Sequence, residues 1–149
     1  MEKKKRKLSK KAQENPHYVN NKDFTEAIAK WIKENEGKKS RKEWTSIPNY
    51  VAECFLKIIE HYGLKGRWRG YTYLDEMKSE AILNCVKYAH NFKIEKSDNA
   101  FAYFTQYVEN SFRQVWNDED KQSKIKYESI SKDSEYNYEK INLYDEEHS

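Results

Sequence analysis

Glycine and proline are scarce in this chain: four and two among 149 residues. So few turn formers exclude a turn-dense β-sandwich and favour helices. Cysteine is nearly absent as well. Cys54 and Cys85 both fall on apolar helical stripes, which predicts buried free thiols rather than a disulfide framework. No apolar run reaches membrane-spanning length, and no signal-peptide core follows the basic N-terminus. These absences lead us to expect a soluble protein of a reducing, cytoplasmic compartment. The sequence also lacks a phosphate-cradling glycine loop, a nucleophile elbow and a zinc-helix motif. His17, His61, His90 and His148 are scattered, and Cys85 and His90 would lie on different faces of one helix. No enzyme activity, metal or cofactor is expected.

Charge and aromatic rings are abundant instead. Charged residues make up 36% of the chain and aromatics 15%, which suits a modest core built from few, large side chains, with disorder at the ends. The net charge of +3 is unevenly spread. Residues 1–11, "MEKKKRKLSKK", hold seven basic residues against one acidic, whereas 133–149 hold six acidic residues against one lysine. Such blocks are usually solvated; the basic one can also meet phosphates without reading sequence.

The hydrophobic spacing predicts an all-α, compact four-helix domain over residues 19–117. A basic disordered arm (1–18) precedes it and a flexible acidic tail (118–149) follows. Phe24, Ala27, Ile28, Trp31 and Ile32 mark the first helix, with Asn20 or Asn21 as cap and Gly37 as stop. Pro48 opens the second, whose stripe is Val51, Phe55, Ile58, Ile59 and Tyr62, and Gly63 ends it. The loop "LKGRWRGY" follows, with Lys65, Arg67 and Arg69 around Trp68. Thr72 is expected to cap a third helix running to about His90, with Leu74, Met77, Ala81, Cys85 and Ala89 inward. Ser97 or Asp98 is expected to start a fourth, ending near Trp116. Its stripe is Phe101, Phe104, Val108, Phe112 and Val115. No internal repeat is evident.

Two helices carry more than a core needs. On the third, Ile82, Leu83 and Val86 lie off the inward stripe, interleaved with Glu76, Ser79 and Glu80. That composition fits either a wide helix–helix contact or a protein-docking patch with an apolar centre and an acidic edge. On the fourth, Tyr103, Tyr107, Asn110 and Gln114 recur at helical spacing, near Gln106 and Arg113. They fit either an ordinary amphipathic boundary or a surface whose rings stack on unpaired bases and whose amides read base edges.

The stretches "EMKSEAILNCVKYAHNF" and "NAFAYFTQYVENSF" resemble region 2 of sigma-70-class bacterial transcription factors. There, an acidic helix ending in a lysine–phenylalanine corner precedes a "Phe…Tyr-Ala-Thr-Trp-Trp-Ile-Arg-Gln" helix. With "YVNNKDFTEAIAKW" and "GYTYLDEMKSE" added, the chain is still more similar to the late-transcription sigma factors of T-even-type phages. The resemblance implies that Glu76, Ser79, Glu80, Ile82 and Val86 dock on the clamp helices of the largest subunit of bacterial core RNA polymerase. It implies that Tyr103, Thr105, Gln106 and Tyr107, followed by Asn110, hold unstacked bases of an A·T-rich, minus-ten-like promoter element.

The chain departs from the pattern at two points. Gln106 and Tyr107 stand where housekeeping sigma factors carry paired tryptophans, and Glu109 replaces an arginine, leaving Arg113 one turn on to meet phosphate. Lys65, Arg67, Arg69 and the basic arm are further candidate phosphate contacts. In the phage family a C-terminal peptide binds a DNA sliding clamp; here "KINLYDEEHS" offers Ile141, Leu143 and Tyr144, within 140–147. The implied setting is the cytoplasm of an infected host cell. Two rival expectations stand beside this one: a helical DNA-binding protein without a polymerase partner, and a regulator that imitates sigma without initiating.

Overall fold

The computed structural model describes the backbone of residues 15–148 and the side chains of residues 15–137 and 140. The chain is all-α, with no strand among the described residues. Helix α1 spans Asn21–Asn35, α2 Asn49–Gly63, α3 Leu74–Tyr88 and α4 Ala100–His148, with 3₁₀ turns at Arg41–Glu43 and Ala89–Asn91. Two compact units divide the chain: one ends at Arg113, the other begins at Gln114, so α4 contributes to both.

In the first unit the inward stripes converge on phenylalanine. Phe24 of α1, Phe55 of α2 and Phe104 of α4 are all fully buried, and their ring centroids lie 4.7–5.8 Å apart. Phe92, just before α4, adds a fourth ring 6.1 Å from Phe104. Tilted and edge-on contacts of this kind add roughly 0.5–1.5 kcal/mol each beyond area burial. A second cluster joins Tyr62, Trp68 and Phe112, at 4.9 and 5.9 Å. All five expected α2 residues are buried, and so are Met77, Ala81 and the two thiols, Cys54 and Cys85. On α4 the stripe is narrower than expected: Phe104, Val108 and Phe112 are buried, whereas Phe101 is 37% exposed. The place of Phe101 in the core is taken by Ala100, whose small side chain lets the start of α4 approach α1.

That approach explains a misplaced boundary. Neither Ser97 nor Asp98 starts α4; Ala100 does. Three of the N–H groups that a helix start leaves free are satisfied by side chains. Ala100 N–H donates to Thr25 Oγ1 at 3.1 Å, Phe101 N–H to Asn21 Oδ1 at 3.0 Å, and Ala102 N–H to Asn99 Oδ1 at 3.0 Å. Two of the three acceptors belong to α1, so the cap crosses the fold. At α3 the expected Thr72 cap is also absent: the helix begins after Tyr73 with no side-chain cap. The boundaries of α1 hold. Asn20 accepts from Asp23 N–H at 3.1 Å, and Gly37, at φ +88°, turns the chain away after α1.

Asn35 holds the loop that follows. It is fully buried, donates to Trp31 C=O at 2.8 Å and to Thr45 Oγ1 at 3.0 Å, and accepts from Thr45 N–H at 2.9 Å and Lys38 Nζ at 2.8 Å. A buried amide satisfied on both ends costs nothing for its burial and positions everything it touches.

The second unit is one helix. α4 was expected to end near Trp116 and instead runs to His148. No glycine or proline occurs between Ala100 and His148, so nothing interrupts the ladder. A one-turn ion pair, Lys124 Nζ to Asp120 at 3.0 Å, adds to it. The hydrophobic period fades because residues 121–130 are all exposed. Most of the basic arm, residues 1–14, lies outside the described residues, as do the side chains of Ile141, Leu143 and Tyr144. Among the described residues no helix is long and apolar enough to cross a membrane.

Candidate functional site

Helix α3 turns Met77, Ala81 and Cys85 fully inward, which fixes the opposite arc outward. Glu76, Ser79 and Val86 are exposed on that arc, and Glu80 is half-buried at its edge. Leu83, 58% exposed, stands in the middle. Ile82, expected at the apolar centre, is half-buried at the flank instead. The reason is angular: Ile82 lies one residue from Ala81, roughly 100° round the helix, whereas Leu83 lies roughly 200° round. Asn84 ties this helix to α4, its amide donating at 2.8 Å to the buried Ser111 hydroxyl, which in turn donates to Tyr107 C=O at 2.7 Å.

On α4 the two tyrosines are half-buried, lying at the surface rather than inside the core. Tyr103 sets its edge against Phe92 and Phe104, at 5.2 and 5.1 Å, with its hydroxyl 3.3 Å from that of Tyr107. Tyr107 lies nearly parallel to Tyr88 of α3, 5.6 Å between centroids and 13° between planes. Burial, then the hydrogen bond from Tyr107, pushes the Tyr103 phenol well above its ordinary range, so it stays neutral. Three rings thus form a row across α3 and α4. Gln106 and Asn110 are exposed beside it, joined by a 2.9 Å hydrogen bond from Gln106 Nε2 to Asn110 Oδ1.

Not every expected residue joins that row. Thr105 lies roughly 200° from Tyr103 round the helix, and its hydroxyl donates to the Phe101 carbonyl at 2.6 Å. Arg113 is exposed but donates to Glu109, one turn back. Lys65, Arg67 and Arg69 are exposed on the loop around buried Trp68. Lys65 and Arg67 lie over the Tyr62 and Trp68 rings, at 4.5 and 4.9 Å. Trp68 packs on Phe112, nine residues beyond Tyr103 and so about half a turn round α4. The basic loop therefore sits behind the helix that carries the tyrosine row.

Other cations stand closer. Lys87 lies over the Tyr88 ring at 5.2 Å, and a cavity of about 260 Å³ beside Tyr103 is lined by Lys93, Lys96, Asn91 and Ser97. "NFKIEKS" signalled this, with two lysines in the turn before α4, but a turn reading gives no direction. A larger groove, about 890 Å³, opens on the other side of Phe92 between α1, Trp44 and His90. His90 Nδ1 is buried there without a partner among the described residues, its ring edge-on to Trp44 at 5.8 Å. Burial raises the Cys85 thiol from 9.0 to about 12 and raises Cys54 also, so both stay protonated. No cluster able to hold a metal ion occurs among the described residues.

Compared with known proteins, the chain matches no family model and no curated protein.

Proposed function

We propose that the chain is a small sigma-type initiation factor. It binds bacterial core RNA polymerase through α3 and captures melted bases of an A·T-rich promoter element on α4. It performs no chemistry of its own; polymerase supplies the active site. One observation carries the reading: a row of half-buried tyrosines stands beside an uncovered acidic and apolar face, on two helices linked through Asn84 and Ser111. A protein surface that joins a desolvatable leucine to flanking carboxylates suits a basic-rimmed coiled coil. Half-exposed rings with amides at their margin suit unstacked bases, each stacked base contributing about 1–3 kcal/mol. The residual resemblance of motif order to the phage late sigma factors supports the same reading. It also offers Ile141, Leu143 and Tyr144 to a sliding clamp, in the cytoplasm of an infected cell.

The test is co-purification with core polymerase, followed by run-off transcription from an A·T-rich promoter with and without a loaded clamp. Glu80→Lys with Leu83→Asp should abolish co-purification, whereas Ile82→Ala alone should weaken it little. Tyr107→Ala should weaken binding to forked DNA about tenfold or more and leave plain duplex nearly unchanged. DNA binding without polymerase would instead identify a helical DNA-binding protein, and polymerase binding without run-off product a sigma-like inhibitor.

A further inference from the structure

The loop between α2 and α3 carries charge that nothing in the fold answers. Between Glu60 and Asp75 the chain holds Lys65, Arg67 and Arg69 and no carboxylate. All three cations are exposed, and none makes an ion pair among the described residues. Two of them are nonetheless held in place. Lys65 Nζ lies 4.5 Å over the buried Tyr62 ring, and the Arg67 guanidinium 4.9 Å over buried Trp68. Neither guanidinium donates a hydrogen bond to the described residues. Each therefore keeps its N–H fork for an anion, and a phosphate can take two parallel bonds from it.

The backbone adds donors. Trp68 and Arg69 N–H both donate to the Lys65 carbonyl, at 2.9 and 3.2 Å, and Tyr71 N–H donates to that of Trp68 at 3.0 Å. The N–H groups of Gly66 and Arg67, inside that turn, donate to no protein atom among the described residues. Gly66 is the telling position. Gly70 sits at φ +72°, where other side chains are strained; Gly66 does not, and a methyl group there would meet nothing within 4 Å. The fold has no need of glycine at 66. A partner brought close against the backbone does. An acidic protein would also answer the charge, but protein interfaces form round a desolvated apolar centre. Across residues 57–82 the one exposed large apolar side chain is Leu64. Phosphate contacts need no such centre, only cations and backbone N–H groups.

We infer that Lys65, Arg67 and Arg69, with the Gly66 and Arg67 N–H groups, bind the phosphate backbone of double-stranded DNA. A duplex presents phosphates densely enough to meet several donors of one loop at once. The loop lies behind α4, about half a turn from the tyrosine row, so its phosphates belong to a different stretch from any bases on that row. The site is independent of the sigma-type reading, since it uses neither the outward face of α3 nor the tyrosines.

Fluorescence anisotropy of the full chain on a plain duplex, without polymerase, tests the site. Lys65→Gln, Arg67→Gln and Arg69→Gln together should weaken binding at least about tenfold and lower the slope of log K against log salt by roughly 2–3. Lys22→Gln, Lys39→Gln and Lys42→Gln remove equal charge from exposed positions on α1 and the loop after it, and should cost far less. Gly66→Ala keeps every charge and should weaken binding about threefold or more at an unchanged slope. Thermal unfolding confirms that each variant folds. Equal losses from the two triple variants would reduce the loop to diffuse attraction and overturn the site. Full binding by Gly66→Ala would overturn the backbone contact. Full duplex binding by the loop triple would overturn the inference outright. A lost phosphorus NMR shift for inorganic phosphate would then make the loop a free-anion site, and lost co-purification with polymerase an acidic-protein contact.

Discussion

The two halves of α4 share a backbone conformation and almost nothing else. Up to Arg113 the helix buries Phe104, Val108 and Phe112 completely; across residues 121–130 it buries nothing. The first half was legible as a helix because a core imposes a hydrophobic period on its sequence. The second half lacks that period, yet it lacks glycine and proline too, and it is equally helical. Periodicity reports burial and the absence of breakers reports helicity; only in the first half do the two signals agree.

Mutations should separate the halves sharply. Phe104→Ala removes a ring shared by Phe24, Phe55 and Phe92 and should cost the bundle about 3–5 kcal/mol in chemical denaturation. Ile130→Ala in the second half should move the same transition by less than about 0.5 kcal/mol. An equal effect would mean that the halves fold as one.

Asn35→Leu comes next, at about 2–3 kcal/mol. It leaves the Thr45 N–H and the Trp31 carbonyl without the partners they have in a buried setting. Alkaline pH should act on the first half through Cys85. Folding holds Cys85 protonated to about 12, against 9.0 for a free thiol. Between these values the unfolded chain has lost a proton that the folded chain keeps. Stability is therefore undiminished below pH 9.0 and falls as pH rises above it, by roughly 1.4 kcal/mol per pH unit per such thiol. Cys85→Ala should flatten that slope in a pH series of unfolding curves. Thr25→Val should cost about 1–2 kcal/mol. It keeps the side chain's shape but strips the Ala100 N–H of its acceptor, and amide exchange at the start of α4 should rise with it.

Several features were readable from composition and spacing alone: the all-α class, the α2 stripe, the buried thiols, the Asn20 cap and the Gly37 turn. Each depends on one segment and on the angle its residues subtend round a single helix. The candidate faces were legible in the same limited sense. Tyr103 and Tyr107 stand on one arc because they are four residues apart, and Glu76 and Glu80 do so for the same reason.

What the tertiary structure decided is which neighbour covers which arc. Packing set Tyr88 against Tyr107. It also put Lys65–Arg69 behind α4 while Lys93 and Lys96 lined the cavity beside Tyr103. Two of the three acceptors that cap α4, Asn21 and Thr25, lie 80 and 75 residues away in the chain. A helical period gives direction round one axis; it carries no information about where the other axes lie, and in this protein those axes set the cap of α4 and the neighbours of Tyr107.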